Sequence, residues 1–243
     1  MTAGFSGLDG DRAGPAGSLS GALKPPATPP LMREQAFETV KDAIISGRIP
    51  PGARLIEREM CAALGVSRTI VREVVRRLEA ERLVQVAAHR GPRVAVLSAK
   101  TAREIYDLRS ELESLLVRDF VVRADDAAVR AMRDLHREIA DGAARDDVEA
   151  LVVIMRRFYR VLTAGAGNGT VADILETLHA RISRLRVLSM SEPGRALRSV
   201  GEIGAIVAAI ERRDAAAAEA ATRAYVGAAR ESALRRITGA PAS

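Results

Sequence analysis

A run of short polar and basic residues, SRTIVR, opens a stretch that has the spacing of a helix with one charged side. Arg68 and Arg72 stand one helical turn apart, with the hydroxyls of Ser67 and Thr69 beside them. A guanidinium can donate two hydrogen bonds to a guanine in the DNA major groove, and hydroxyls suit phosphates or bases. A single arginine in such a run is more often an ordinary solvated charge, but the set together indicates a helix that reads DNA.

The elements around this run are those of a winged helix-turn-helix. Residues up to Gly47 predict a first helix, residues 57–64 a short second one, and Gly65 a break after it. Ser67 is placed to cap a third helix, and the stretch LVQVAAHRGPRVAVL predicts two short strands joined by a turn. The inward face of the third helix is predicted to be Val71, Val74, Val75 and Leu78.

The turn between the two strands carries His89, Arg90 and Gly91. A cation at this tip could enter the neighbouring minor groove, and a glycine lets the backbone approach closely. Charge favours the same partner: residues 31–97 hold 12 Lys and Arg against 8 Asp and Glu, whereas residues 98–243 hold 23 against 21. The positive excess is therefore concentrated in the smaller unit, as expected for a partner that is double-stranded DNA.

The chain divides into four segments and is predicted to be mainly α-helical. Residues 1–30 are rich in Gly, Ala, Pro and Ser and predict a disordered tail. Residues 31–97 form the winged helix-turn-helix with its β-hairpin, 98–238 an all-helical domain, and 239–243 a disordered C-terminus. Apolar stripes at helical spacing predict six amphipathic helices in the helical domain, packed as a bundle.

Local signals predict where some of these bundle helices begin. Thr101 with Glu104, and Ser199 with Glu202, have the spacing of a capping box. Asn168 is predicted to cap a helix rather than to bind a ligand.

Several classes of protein are excluded by what the sequence lacks. No nucleophile elbow, P-loop or dinucleotide fingerprint is present, so we do not expect an enzyme. The one cysteine, Cys61, rules out an intrachain disulfide and is interpreted as core. No apolar run approaches the roughly 20 residues of a membrane span, and no secretion signal opens the chain, so a cytoplasmic protein is expected. A purely architectural DNA-binding protein would not need so large a bundle.

The motif LxEREMCAALGVSRTxVREVxRRLEAExLV, followed by HRG and VAV, closely resembles the GntR family of bacterial transcription regulators. The resemblance implies that Arg58, Ser67, Arg68, Thr69, Arg72 and the hairpin tip touch DNA. It also implies a homodimer on a two-fold symmetric operator. The family usually has Pro, Ala and Gly where this chain has Ile70, Val74 and Arg82.

The helical half resembles the FCD ligand-sensing domain of the FadR subfamily, through EIYDLRSELE, FYRVLxxxAGN and SVGEIGAIVAAIERRDAAAAE. Most of these domains hold a divalent metal with one Asp and three His, which helps to bind a carboxylate effector. Those four positions fall on Met155, Tyr159, Ile203 and Tyr225, which lack the donors that such metals need. We therefore expect no metal and no cofactor, and interpret His136 and His179 as surface or structural.

Two interpretations of the altered site remain open. Met155, Tyr159, Ile203 and Tyr225 could line a pocket for an organic acid or acyl compound, with Arg109 pairing to its carboxylate. Alternatively, these side chains fill the space, and Arg109 pairs with Glu113 one turn along its helix as a surface pair. The expected function is a dimeric repressor whose DNA affinity a small effector modulates; the alternative is a ligand-independent regulator whose second domain only dimerises.

Overall fold

The structure is a computed structural model that describes residues 30–87 and 91–239. The predicted tails, apart from Pro30 and Gly239, lie outside this range, as do His89 and Arg90 of the predicted hairpin tip. The N-terminal unit, residues 30–97, contains three helices and a two-stranded antiparallel sheet. Its elements are α1 (Pro30–Ile45), α2 (Glu57–Leu64), α3 (Arg68–Ala80), β1 (Val84–Ala87) and β2 (Gly91–Val94).

The N-terminal unit is built around the apolar face of α3, as its periodicity predicted. Val71, Val74 and Leu78 are completely buried and pack with Phe37 and Ile44 of α1. The predicted caps are also confirmed: Gly65 ends α2 with φ at +66°, and the Ser67 hydroxyl accepts a hydrogen bond from the backbone of α3. Cys61, expected in the core, is only half-buried at its edge.

The hairpin gains a third backbone segment that the sequence pattern did not predict. Val84 of β1 stands opposite Val94 of β2. On the other side of β2, the Leu55 amide donates to the Pro92 carbonyl, and the Val94 amide donates to the Ala53 carbonyl, both at 2.9 Å. Residues 52–55, which belong to the loop between α1 and α2, therefore pair with β2 and hold the hairpin in place.

The chain leaves α3 through a residue in the left-handed conformation. Arg82 has φ at +57°, and the Leu83 amide then donates to the Leu78 carbonyl at 2.9 Å, which closes the turn. Left-handed backbone favours glycine, and this is the position at which the resembled family usually has Gly.

Residues 98–239 form a bundle of six helices in the described part of the chain, as predicted. The helix α4 packs along α9 and α6, while α5 packs between α6 and α8. None of the described helices is both long enough and apolar enough to cross a bilayer. The bundle helices are α4 (Ala99–Arg123), α5 (Asp126–Ala144), α6 (Val148–Ala166), α7 (Gly169–Met190), α8 (Arg195–Glu211) and α9 (Ala215–Thr238).

Two of the three predicted caps in the bundle are wrong. Ser98, not Thr101, caps α4, because the Thr101 amide donates to the Ser98 hydroxyl at 3.0 Å. Ser199 lies inside α8, which begins directly after Gly194. Asn168 does cap α7, and its side-chain oxygen accepts from the Val171 amide at 3.3 Å.

The helix α7 joins the bundle to the N-terminal unit. Ala180 is buried in the core of the N-terminal unit, and Val187 packs against the same core. Buried Arg184 donates to the Ala95 carbonyl at 2.5 Å, on the segment that connects the two units. The two units therefore share packed surface in addition to their covalent link.

Candidate DNA interface and ligand cavity

The start of α3 presents the predicted DNA-contacting residues to solvent. The Ile70 amide donates to the Ser67 hydroxyl at 3.4 Å, which fixes where the helix begins. Ser67, Arg68 and Thr69 are all exposed in or just before the first turn. Because the opposite face of α3 is buried in the core, these three side chains point away from the protein.

Arg72 is exposed one turn further along, but it has a partner. Its Nε donates to both carboxylate oxygens of Glu57, at 3.0 and 3.2 Å, and this hydrogen bonding raises the pKa of Arg72. Arg58 is exposed on the same short helix as Glu57. A phosphate or base that approaches Arg72 must therefore compete with Glu57 or share the guanidinium with it.

The tip end of the hairpin brings a further arginine to this region. Gly91 has φ at +69°, and the Arg54 guanidinium lies 3.7 Å from where a Cβ of that residue would stand. Arg54 was not predicted, because only the backbone pairing of residues 52–55 with β2 places it there. His89 and Arg90 lie outside the described residues, so of the predicted tip only Gly91 is placed.

A buried charge cluster occupies the bundle interior. Arg109 Nε donates to Glu113 at 2.8 Å, and both side chains are essentially inaccessible. The Tyr159 hydroxyl donates to the second oxygen of Glu113 at 2.5 Å, and burial together with this carboxylate raises the pKa of Tyr159. The pairing of Arg109 with Glu113 was one of the two alternatives, but its predicted surface location is wrong.

A second arginine, Arg186, adds to this cluster from α7. It is 5% exposed, stacks 4.2 Å from the centre of the Tyr159 ring and lies 3.9 Å from Glu113. Within the described residues, Arg109 Nη1 and Arg186 Nε find no hydrogen-bond partner. Two guanidinium groups thus share one carboxylate, and two of their nitrogen atoms have no hydrogen-bond acceptor. Sequence periodicity gave no sign of this, because it cannot show that an arginine on one helix faces a carboxylate on another.

A cavity of about 510 Å³ opens beside this cluster. Ligand pockets for drug-sized molecules have volumes of roughly 300–1,000 Å³. Its walls come from both units: α1 supplies one side, and α6 and α7 supply the others. Among the lining residues are Lys41, Arg156, Tyr159, Arg160, His179 and Arg186.

Of the five residues predicted to line an effector pocket, the cavity is lined by one, Tyr159. Met155, Ile203 and Tyr225 are buried among the packed side chains of the bundle. Arg109 stands one layer behind the cavity wall, in contact with Glu113, which does line it. The predicted region is therefore partly filled, and the open space lies next to it, toward the N-terminal unit.

Two family models match the chain. The model of the FCD domain covers residues 104–228, and that of the gntR family of bacterial regulatory proteins covers residues 32–94. The chain belongs to the GntR family. Its two units are the helix-turn-helix and FCD domains of these transcriptional regulators, which are DNA-binding proteins and not enzymes.

Individual relatives agree with this assignment. The chain is 30% identical over 207 residues to the "Probable D-xylose utilization operon transcriptional repressor" of Paenarthrobacter nicotinovorans, covering 82% of this chain and 88% of that protein. It is 26% identical to the HTH-type transcriptional regulator YdhC of Bacillus subtilis, covering 76% and 83% respectively. A solved GntR regulator from Rhodococcus sp. RHA1 superposes with a TM-score of 0.69 at 26% identity, over 86% of this chain and 99% of that one.

The metal that most FCD domains carry does not fit the residues of this GntR protein. Met155 and Ile203 offer no hard donor, and the raised pKa of Tyr159 keeps its phenol protonated and bonded to Glu113. In the described ranges, no three His, Cys, Asp or Glu side chains are grouped so that they could hold an ion. His136 Nε2 instead lies 2.9 Å from the Val200 carbonyl, a structural contact between α5 and α8.

Proposed function

We propose that this GntR-family regulator is a homodimeric repressor in the cytoplasm, which a small organic acid releases from a two-fold symmetric operator. The observation that carries the effector part is the cavity, because its walls include α1 of the DNA-binding domain. A ligand bound there touches both domains at once. It can therefore favour one arrangement of the two domains over another, which is what changing DNA affinity requires.

On the DNA side, Arg68 reads base edges while Ser67, Thr69 and Arg58 contact phosphates or neighbouring bases. Their exposure at and beside the start of α3 supports these roles. The wing tip, His89 to Gly91, reaches the adjacent minor groove. The repressor role rests on the name of the Paenarthrobacter relative and the dimer on the symmetry of such operators.

We further propose that the protein works without a bound transition metal. Arg186 in the cavity wall, with Arg109 behind it, supplies the positive charge for an acidic ligand instead. Elemental analysis of the purified protein should find no stoichiometric zinc, manganese or nickel, and about one metal per chain would contradict this part of the proposal.

The decisive experiment is selection of bound sequences from random DNA, repeated with organic acids present. Enrichment of one palindromic sequence supports the operator part of the proposal. The effector part is supported if an acid abolishes that enrichment and also raises the melting temperature of the protein, both with and without a chelator. If no sequence is enriched over the starting pool, sequence-specific operator binding by this protein is contradicted.

The alternative is a ligand-independent regulator whose FCD domain only dimerises. The tight packing of Met155, Ile203 and Tyr225 favours it, because the usual ligand-binding centre is filled. Under this alternative, the same selection returns an operator, but none of the organic acids changes its enrichment or the melting temperature.

A further inference from the structure

One side chain, Lys41 of α1, both lines the cavity and contacts the end of the DNA-reading helix α3. It lines the cavity and is only 9% exposed. Its ammonium also lies 2.9 and 3.1 Å from the two carboxylate oxygens of Glu81. Glu81 is the residue that ends α3. The same positive charge therefore holds the end of the DNA-reading helix and faces the cavity.

The buried part of the cavity wall carries an excess of positive charge. Arg186 is buried there, with Arg109 behind it, and these two guanidinium groups share the single buried carboxylate of Glu113, while buried Lys41 is paired with Glu81. The other acidic lining residues, Glu38, Asp173 and Glu176, are half-buried or exposed at the rim. Buried charge that is not matched is costly, and an anion that enters the cavity would offset this cost.

The surroundings of His179 show the effect of the same positive charges. Burial and, after it, the positive charges of Arg156, Arg186, Lys41 and Arg160 together lower the pKa of His179 to about 3. Four cations from three helices thus act on one neutral imidazole in the cavity wall. Because Arg160 is exposed and Arg156 half-buried, the buried cations Lys41 and Arg186 are the ones placed to hold an anion inside the cavity.

We propose that the cavity binds a small organic anion whose acidic group contacts Lys41, so that the ligand and Glu81 compete for the same ammonium. This rests on the function proposed above and adds the residue that binds the acidic group and the route from the cavity to DNA. The acidic group is a carboxylate or a phosphate, either of which suits Arg186 and Lys41.

Competition at Lys41 links the cavity to the DNA-reading helix directly. With the cavity empty, Lys41 ties α1 to the end of α3 through Glu81. When an anion draws the ammonium into the cavity, that tie is lost, while α1 stays packed on α7. The link is reciprocal: operator DNA must weaken anion binding by the same factor by which the anion weakens operator binding.

The first experiment identifies the ligand class on the full chain. Melting temperature and calorimetric affinity are measured with acetate, succinate, benzoate, inorganic phosphate and glycerol 3-phosphate at constant ionic strength. Succinamide and benzamide are the neutral controls. At least one anion should bind where the amides do not, and Arg186→Gln should weaken it about 5-fold or more. Arg156→Gln provides the same test if Arg186→Gln does not fold.

The second experiment tests the link through Glu81→Gln, with Glu79→Gln as the matched control on the exposed side of the same turn. Glu81→Gln should bind the anion more tightly than wild type, because the ligand no longer competes for Lys41. The anion should weaken operator binding about 5-fold or more in wild type and in the control, but not in Glu81→Gln.

Three results would overturn the inference. These are an equal response to the neutral amides, no binding of any of the anions, or an unchanged DNA response in Glu81→Gln. Each of them can occur with an operator that is still selected and bound, so failure of this inference is distinguishable from failure of the proposed regulator.

Discussion

Arg68 and Arg72 stand one turn apart on α3 but have different surroundings. Arg72 is held by Glu57, whereas Arg68 has no ion-pair partner in the part of the chain that the structure describes. An arginine with no competing carboxylate loses no internal contact when it turns toward a base. Arg68 is therefore the better candidate for reading sequence, and Arg72 for contacting the DNA backbone.

Replacing Arg68 with Ala should remove discrimination at one base position of the operator. A bidentate contact to guanine is worth roughly 1–3 kcal/mol against the wrong base. The measurement is the affinity for the operator and for its single-base variants, with Arg130→Ala, a change at an exposed arginine of α5, as the control for loss of charge. Uniform weakening across all sequences, with a smaller dependence on salt, would show a phosphate contact instead.

The buried carboxylate of Glu113 makes a different prediction, about stability. Replacing Glu113 with Gln leaves Arg109 and Arg186 buried without their counter-charge, which should cost roughly 3–5 kcal/mol of unfolding free energy. Urea denaturation measures the loss. Glu111→Gln, the same change two residues earlier on α4, removes an exposed ion pair with Arg223 and should leave stability unchanged. Equal stability of the two variants would mean that the interior cluster is not buried as described.

The end of α3 combines a stabilising ion pair with a strained backbone conformation. Glu81 closes the helix and holds Lys41, and the next residue, Arg82, must adopt a left-handed conformation for the chain to enter β1. A side chain in that conformation costs about 1–2 kcal/mol relative to glycine. The turn is therefore strained beside the contact that links α3 to α1.

Replacing Arg82 with Gly should raise the unfolding free energy by about 1 kcal/mol, because glycine adopts positive φ without a steric penalty. The measurement is the thermal or urea midpoint. Arg82→Ala is the control, since it removes the charge but keeps the Cβ. Burial and, after it, the charge of Arg82 lower the pKa of Arg181. If both variants are stabilised equally, the gain therefore comes from relief of the repulsion between Arg82 and Arg181.

The helix α7 determines how the two domains are held against each other. Ala180 and Arg184 fasten it to the DNA-binding domain, while the rest of the helix packs in the bundle. Without a ligand in the cavity, a packed joint of this kind allows little hinge motion. In a dimer built through the bundles, the distance between the two DNA-reading helices is therefore nearly fixed.

The spacing of the operator half-sites should accordingly tolerate no change. Inserting about 5 base pairs between the half-sites of the selected operator moves them half a helical turn apart, and binding should fall to the non-specific level. Inserting about 10 base pairs returns the half-sites to the same face of the DNA helix but leaves them too far apart, so affinity should stay low. Substitutions at the same central positions without insertion are the control. Full recovery with the longer insertion would indicate a flexible joint.

Predictions from sequence succeeded where a signal is local. The inward face of α3, the break at Gly65 and the caps at Ser67 and Asn168 each depend on a few neighbouring residues. Thr101 was predicted as a cap because its spacing to Glu104 fits a capping box, and that pattern does not show that the helix begins three residues earlier, at Ser98.

Features that join distant segments were beyond such patterns. Periodicity suggested the pair of Arg109 and Glu113 but not its burial, which comes from the helices around it. The cavity was misplaced because α1, α6 and α7 meet only in the folded chain, and Lys41, Arg186 and Arg54 were missed for the same reason. Burial and convergence are properties of the whole arrangement rather than of spacing along the chain.

The packing of α9 against α4, α7 and α8 has a consequence for how the protein is made. On the ribosome, the DNA-binding domain can fold as soon as α7 has emerged to support it, whereas α4 waits uncovered until α9 has been translated. A nascent chain that stops before Ala215 would expose an apolar groove and become a substrate for chaperones or proteases.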